Sequence, residues 1–135
     1  MNPGNQRLKI KKIEAIPEAD DQFRVRVTLA GRENLFVGER SGGGDENTRL
    51  SLAAQATLDA ISMALNKRIK FELKGVNSDD SFEDLAEILM IVAVAIDDGK
   101  TETVMPGSCR VLGDKVEAAI KATLDATNRI TELYL

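Results

Sequence analysis

Between Phe23 and Leu29 apolar and polar residues alternate one for one. Phe23, Val25, Val27 and Leu29 fall on one side, with Arg24, Arg26 and Thr28 on the other. A period of two puts each set on one face of a β-strand, one face buried and one solvated. Leu8–Ile16 carries a weaker version, with Leu8 and Ile10 opposite Lys9 and Lys11, and Leu35–Arg40 predicts a third strand. Pro17–Asp21 and Gly31–Asn34 separate these segments as turns. The stretch Ser41-Gly42-Gly43-Gly44-Asp45-Glu46-Asn47 reads as a loop. Asn47 or Thr48 is then placed to cap a helix over Arg49–Asn66. Leu50, Ala54, Leu58, Ile61 and Leu65 form its core stripe at helical spacing, while Leu52, Ala56, Ala60 and Met63 put apolar groups elsewhere around it. Such a helix needs cover on more than one side.

The second half follows the same plan. Arg68–Val76 is strand-like, with Ile69, Phe71 and Leu73 on one face. Asn77–Ser81 reads as a loop, and Phe82-Glu83-Asp84 can open a short helical turn. Leu89–Ile96 is a continuous apolar run, the pattern of a strand buried on both faces. Asp97-Asp98-Gly99-Lys100 is a hairpin turn signalled by Asp-Gly. The strand Thr101–Val111 is expected to break or bulge near Pro106-Gly107. Asp114 caps a second helix, with Glu117 at capping-box spacing and Val116, Ala119, Ile120, Leu124 and Ile130 as its core stripe.

The two halves are related in detail. Ala56-Thr57-Leu58-Asp59-Ala60 recurs as Ala122-Thr123-Leu124-Asp125-Ala126, an offset of 66 in a chain of 135. Phe36-Val37-Gly38 resembles Val104-Met105 followed by Gly107, and Gly44-Asp45 resembles Gly113-Asp114. The first copy carries three extra residues between that aspartate and its helix pentapeptide. The reading is an α+β fold: a tandem duplication of a β-β-β-α unit, antiparallel strands and two helices about a pseudo-twofold, in one domain whose repeats span about 7–66 and 68–135. Strand Leu89–Ile96 and helix Arg49–Asn66 each ask for a second cover. A partner chain would supply it, so a homodimer is expected.

Composition narrows the chemistry. There is no histidine or tryptophan and only one cysteine, Cys109. Histidine-based acid–base work, Ser-His or Cys-His nucleophilic pairs and an intrachain disulfide are therefore excluded. A net charge of −4 and five aromatic residues disfavour a nucleic-acid partner. The polar start Met1–Gln6 has no signal-peptide pattern, and no apolar run reaches the about 20 residues a membrane helix needs. A cytoplasmic protein without a membrane partner is expected, and a lone cysteine suits a reducing compartment.

Pro106-Gly107-Ser108 followed by the helix Gly113–Arg129 resembles the end of the C-terminal regulatory domain of α-isopropylmalate synthase. That family shows Gly-x-Ser, an acidic residue, a small-residue helix and a closing Leu-x-Ala-x-Asn-like segment. The resemblance implies a tandem β-β-β-α duplication, binding of the feedback inhibitor leucine and a part in dimerisation. The 135 residues hold no counterpart of that enzyme's catalytic barrel. Ser41–Asn47 also stands where the family has a shorter turn, and no leucine contact carries over residue by residue. The implied function is a stand-alone, non-enzymatic regulatory or dimerisation-type module, sensing a small metabolite such as an amino acid. The alternatives are a pure protein–protein interaction scaffold and a small enzyme using carboxylates at a Gly-rich loop.

Candidate sites lie at the two strand-to-helix junctions. Glycines allow close approach, and a helix N-terminus offers unpaired N–H groups to an anion. The candidate ligand-binding residues are Arg40, Gly42, Gly43 and Gly44 in the first copy and Gly107, Ser108 and Arg110 in the second. Arg40 and Arg110 are expected to pair with a ligand carboxylate. Without histidine, no catalytic residue is assigned, and Cys109 reads as a buried strand cysteine. Asp79, Asp80, Glu83 and Asp84 lack the spacing of a calcium loop and read as a solvated acidic segment. No metal or cofactor is assigned. Arg7, Lys9, Lys11 and Lys12 form a basic patch that fits an edge strand guarded against aggregation. Asp59 and Asp125, paired by the duplication, either approach each other near the pseudo-twofold or each hold a loop of the other repeat.

Overall fold

A computed structural model describes residues 7–81 and 87–135. Phe82-Glu83-Asp84 and Met1–Gln6 lie outside the described residues. The order is β1 (Lys9–Glu18), β2 (Gln22–Ala30), β3 (Leu35–Gly43), α1 (Glu46–Ala64), β4 (Lys70–Asp79), β5 (Leu89–Asp97), β6 (Glu102–Arg110) and α2 (Lys115–Tyr134). β1-β2-β3 and β4-β5-β6 form two antiparallel sheets, each with its helix, so the chain is an α+β fold with a repeated β-β-β-α unit.

The repeat holds to single residues. Ile10, Leu29 and Phe36 form one row across the first sheet, and Leu73, Val94 and Met105 form its counterpart in the second. Directly after Ile10 and Leu73 each outer strand takes one extra residue, Lys11 and Lys74, as a β-bulge. The next inward rows are Ile13–Val27–Gly38 and Val76–Val92–Gly107. Each ends on a glycine against its helix. A Cβ on Gly38 would stand 1.8 Å from the Ala56 carbonyl oxygen, and one on Gly107 2.1 Å from that of Ala122. Real Cβ atoms do not approach so closely, so glycine sets the distance between edge strand and helix.

The repeated pentapeptide follows from this contact. Ala56 and Ala122 offer their carbonyls to the glycines, and Ala60 and Ala126 stay small where the same strand crosses one turn later. Thr57 and Thr123 are buried, and each Oγ1 donates to the carbonyl four residues back, Ala53 or Ala119, at 2.8 Å. Leu58 and Leu124 pack into the core. Asp59 and Asp125 reach the edge strand of their own repeat, through Arg40 and the Ser108 N–H respectively. Neither holds a loop of the other repeat.

The helices run side by side in the same direction. Glu46 at the start of α1 pairs with Lys115 at the start of α2 at 3.1 Å. At the other end Arg68 donates to the carbonyls of Leu65 and Tyr134, placing one cation at both helix C-termini, where the macrodipoles favour it. This is the arrangement a pseudo-twofold along the pair requires. It also corrects the expectation for α1. That helix is covered by β2 and β3, by α2 and by β4, so its apolar surface is used within the chain. Among the described residues, the exposed large apolar side chains on the outer faces of the sheets are Ile91 of β5, Val104 of β6 and Leu35 and Val37 of β3.

Some boundaries differ from the expected ones. Ser41, Gly42 and Gly43 belong to β3, paired with Arg24, Phe23 and Gln22. Gly42 lies against the Leu52 side chain. Asp45, rather than Asn47 or Thr48, caps α1 by accepting from the Thr48 N–H at 3.2 Å. The three extra residues of the first copy thus lie in the helix, between its cap and the pentapeptide. Asn77–Asp79 extend β4 along β5. β6 runs unbroken through Pro106, which an edge strand tolerates because the missing N–H faces outward.

Candidate functional site

At both strand-to-helix junctions a carboxylate of the chain itself caps the helix N-terminus, and beside the first an open concavity of about 580 Å³ remains, with Asp21, Gly43, Gly44, Asp45 and Arg49 among its walls. At the first, the Asp45 carboxylate sits on the N-terminus of α1. Hydrogen bonds from Thr48 hold its pKa below the usual aspartate value. Gly44 packs against the Asp21 carbonyl, and its own carbonyl accepts from Arg49 Nε at 2.5 Å. Arg49 also lies over the Phe23 ring, 4.5 Å from its centroid. Gly43 adjoins the Asp45 carboxylate. At the second junction, Asp114 accepts from the Val116 N–H at 2.9 Å. Glu117 pairs forward with Lys121, whose pKa is raised by that hydrogen bond. Each helix N-terminus therefore already holds an anion from its own chain.

Arg40 and Arg110 are not equivalent, and each is bound to a carboxylate of the chain itself. Arg40 is paired with Val25 in the ladder and points to the helix side, where Nε and Nη2 donate to both oxygens of Asp59 at 2.6 and 3.0 Å. That bond raises the guanidinium pKa above its ordinary value. Arg110 is paired with Leu89, faces away from the helices and binds Glu87 at 2.9 Å. The equivalent of Arg40 is Cys109, since each follows the helix-contacting glycine of its strand, Gly38 or Gly107, by two residues; its thiol donates to the Arg110 carbonyl at 3.3 Å. Gly107 is fully committed to the α2 contact, and the Ser108 N–H to Asp125. Asp59 and Asp125 each serve their own edge strand and do not meet. Among the described residues no cluster of three or more acidic or cysteine side chains could hold a metal. Glu83 and Asp84 are outside the described residues. Asp79 is occupied by Ser81.

Further concavities adjoin the helices. A groove of about 470 Å³ runs between the helix starts, lined by Glu46, Arg49, Leu50 and Gly113–Val116. A smaller cleft of about 160 Å³ lies between β6 and the end of α2, with Ile96, Met105, Ala126, Ile130 and Leu133 as walls and Arg129 at its rim. In the first repeat Phe36 replaces Met105, and its ring lies over Gly31 at the place of Ile96.

The outer faces of the sheets, turned away from the helices, differ more than any other part of the repeats. On the first sheet Arg24 and Arg26 of β2 are linked to Glu14, Glu18 and Glu39. On the second, β5 presents Leu89, Ile91 and Ala93, with Ile91 37% and Val104 of β6 55% exposed, while Ala95 on the same side is buried and Glu72 and Asp97 stand in the neighbouring rows. The apolar run from Leu89 to Ile96 signalled this face in the sequence; which of its sides stays open depends on the placement of the helices.

No protein-family model and no curated protein matches the chain. Among the described residues no helix is long and apolar enough to cross a membrane.

Proposed function

We propose that the chain is a non-enzymatic association module of the regulatory-domain type, acting as a homodimer in the cytoplasm without a cofactor. One observation carries this reading: on the outer face of the second sheet Ile91 and Val104 stand exposed, with no described residue over them. The carboxylates that an enzyme would need, Asp59 and Asp125, are spent on strand-to-helix bonds, which favours association over catalysis. The resemblance to the α-isopropylmalate synthase regulatory domain points the same way through its dimerisation role. Sedimentation velocity from about 1 to 100 μM, a range that spans typical weak to moderate dimers, tests the reading. A species of about twice 14.7 kDa is expected, and a monomer throughout contradicts it.

A metabolite-sensing role has one observation in its favour, the cleft between β6 and α2. An apolar cavity of about 150 Å³ admits a molecule of benzene size, and Arg129 and Asp98 line the cleft with one charge of each sign. Thermal shifts with aliphatic amino and carboxylic acids test it. A rise abolished by Arg129→Ala supports sensing, and no shift with any of them removes it.

A further inference from the structure

Resting on the self-association reading, we infer that the occupant of the outer face of β4-β5-β6 is a second copy of this chain, packed sheet against sheet about a twofold axis in the contact plane. The row Glu14–Arg26–Glu39 crosses the outer face of the first sheet, directly beside Ile13–Val27–Gly38. The same row of the second sheet, beside Val76–Val92–Gly107, reads Asn77–Ile91–Ser108. A cation flanked by two carboxylates is replaced by an isoleucine flanked by neutral groups. The outer faces of the two sheets thus have opposite solvent preferences on matching scaffolds.

Association through strand edges is disfavoured by the chain itself. Along β3, Arg40 and Asp59 place a charged pair at the edge. Along β6, Pro106 lacks an N–H and Asp125 already takes that of Ser108. β1 and β4 are bulged at Lys11 and Lys74, a device that spoils edge pairing. The face is the route that remains.

Its charges suit a copy of itself. Lys70 and Glu102 stand at one end of the outer strands, Asp79 and Arg110 at the other, so the four corners alternate in sign. A twofold axis in the contact plane and across the strands lays each corner over one of opposite sign and Asp97 of central β5 over Leu89, whereas an axis along the strands sets Asp97 against its own copy. Arg110, already bound to Glu87, adds least. Three strands about 4.8 Å apart and nine residues at about 3.3 Å outline about 400 Å² per copy. The pair then covers about 800 Å² before side-chain relief is added, the size of a weak, transient interface rather than of an obligate one.

Ile91→Arg and Val104→Arg test the inference in sedimentation velocity, with circular dichroism reporting the fold. Both positions are solvent-exposed, so the variants should fold, and the twofold places each new charge twice in the contact. The dissociation constant should rise at least about 100-fold for each. Leu35→Arg on the outer face of the first sheet, 59% exposed, should leave it unchanged. A wild-type chain that is monomeric throughout overturns the self-association reading together with this one. A wild-type dimer that survives both second-sheet substitutions, or that Leu35→Arg dissociates instead, overturns this inference alone.

Discussion

Seen from the helices, the two sheets are nearly the same object; seen from outside, they are opposites. Inward, rows Ile10–Leu29–Phe36 and Leu73–Val94–Met105 match, the bulges fall at the same place, and a glycine meets a helix carbonyl in each. Outward, arginine bound to glutamates on one sheet answers isoleucine, alanine and valine on the other. The first sheet also exposes Leu35 and Val37, but on its edge strand alone, whereas on the second the apolar band runs from central β5 to β6. The difference follows from what constrains each side. Inside, a contact under 2.2 Å to a would-be Cβ leaves no alternative to glycine, so both repeats keep it. Outside, sterics are slack, and each face suits what lies against it: water on one sheet, apolar surface on the other.

The equality of the inner faces is the easiest part to break. Gly38→Ala and Gly107→Ala should each destabilise the fold by about 3 kcal/mol or more, because the helix must move off its sheet. Urea unfolding of the two variants should give similar losses. If one is tolerated and the other is not, the glycines do not hold equivalent contacts.

The outer difference can be reversed by a reciprocal exchange. Arg26→Ile gives the first sheet the central residue of the second and removes the link to Glu14 and Glu39. These half-exposed pairs contribute about 0.2–1 kcal/mol each, so the fold should survive. The new apolar centre beside Leu35 and Val37 should drive assembly beyond the dimer, read as heavier species in sedimentation velocity. An unchanged distribution would mean that a central apolar residue is not enough to create an association surface.

The aspartates of the repeated pentapeptide should matter about equally and modestly. Asp59→Ala frees Arg40, and with both side chains about two-fifths exposed the loss should be about 0.5–1 kcal/mol. Asp125→Ala leaves the Ser108 N–H at an edge open to water, at about 1 kcal/mol. Thermal unfolding of both variants checks this; a loss of activity or of ligand affinity without a loss of stability would revive a chemical role for them.

Much of the architecture was legible before the coordinates. Phe23–Leu29 alternates because Val25 and Val27 are fully buried while Arg24 and Arg26 are held by glutamates. The pentapeptide announced the duplication because its small residues answer a steric demand made twice. The ends of elements were harder. Three glycines after Ser41 read as a loop, yet β2 begins at Gln22 and offers partners as far as Gly43. Such pairing is a long-range fact that local composition does not carry. The inequivalence of the two arginines was hidden for the same kind of reason. Arg40 and Arg110 differ by one residue in register, and one residue turns a strand side chain to the opposite face. Nothing near Gly38 or Gly107 indicated a helix carbonyl within contact, so Gly107 looked available to a ligand when it is not.

The smallest expected effects are those of pH, and they set the conditions for the others. Asp45, Asp79 and Asp98 have pKa values lowered by hydrogen bonds: from Thr48, from Ser81, and from the backbone N–H groups of Thr101 and Lys100. Their stabilising contributions are present above the unfolded aspartate value of about 3.9 and fade as pH falls below it. Lys121, raised by Glu117, contributes below the unfolded lysine value of about 10.4 and loses that contribution as pH rises through its higher folded value. The melting temperature should therefore be flat between about pH 5 and 9 and fall beyond both limits. Asp45→Asn should soften the acid limb, and an unaltered limb would show that the cap does not set it.

The central claim is that the outer face of β4-β5-β6 is the surface this chain uses to bind its own copy. A concentration series of amide NMR spectra on the unaltered protein tests it most directly. On raising the concentration, the account predicts that residues 89–97 and 102–110 shift or broaden while residues 22–30 of the first sheet stay constant. Spectra that do not change with concentration, or changes centred on β2, would contradict it.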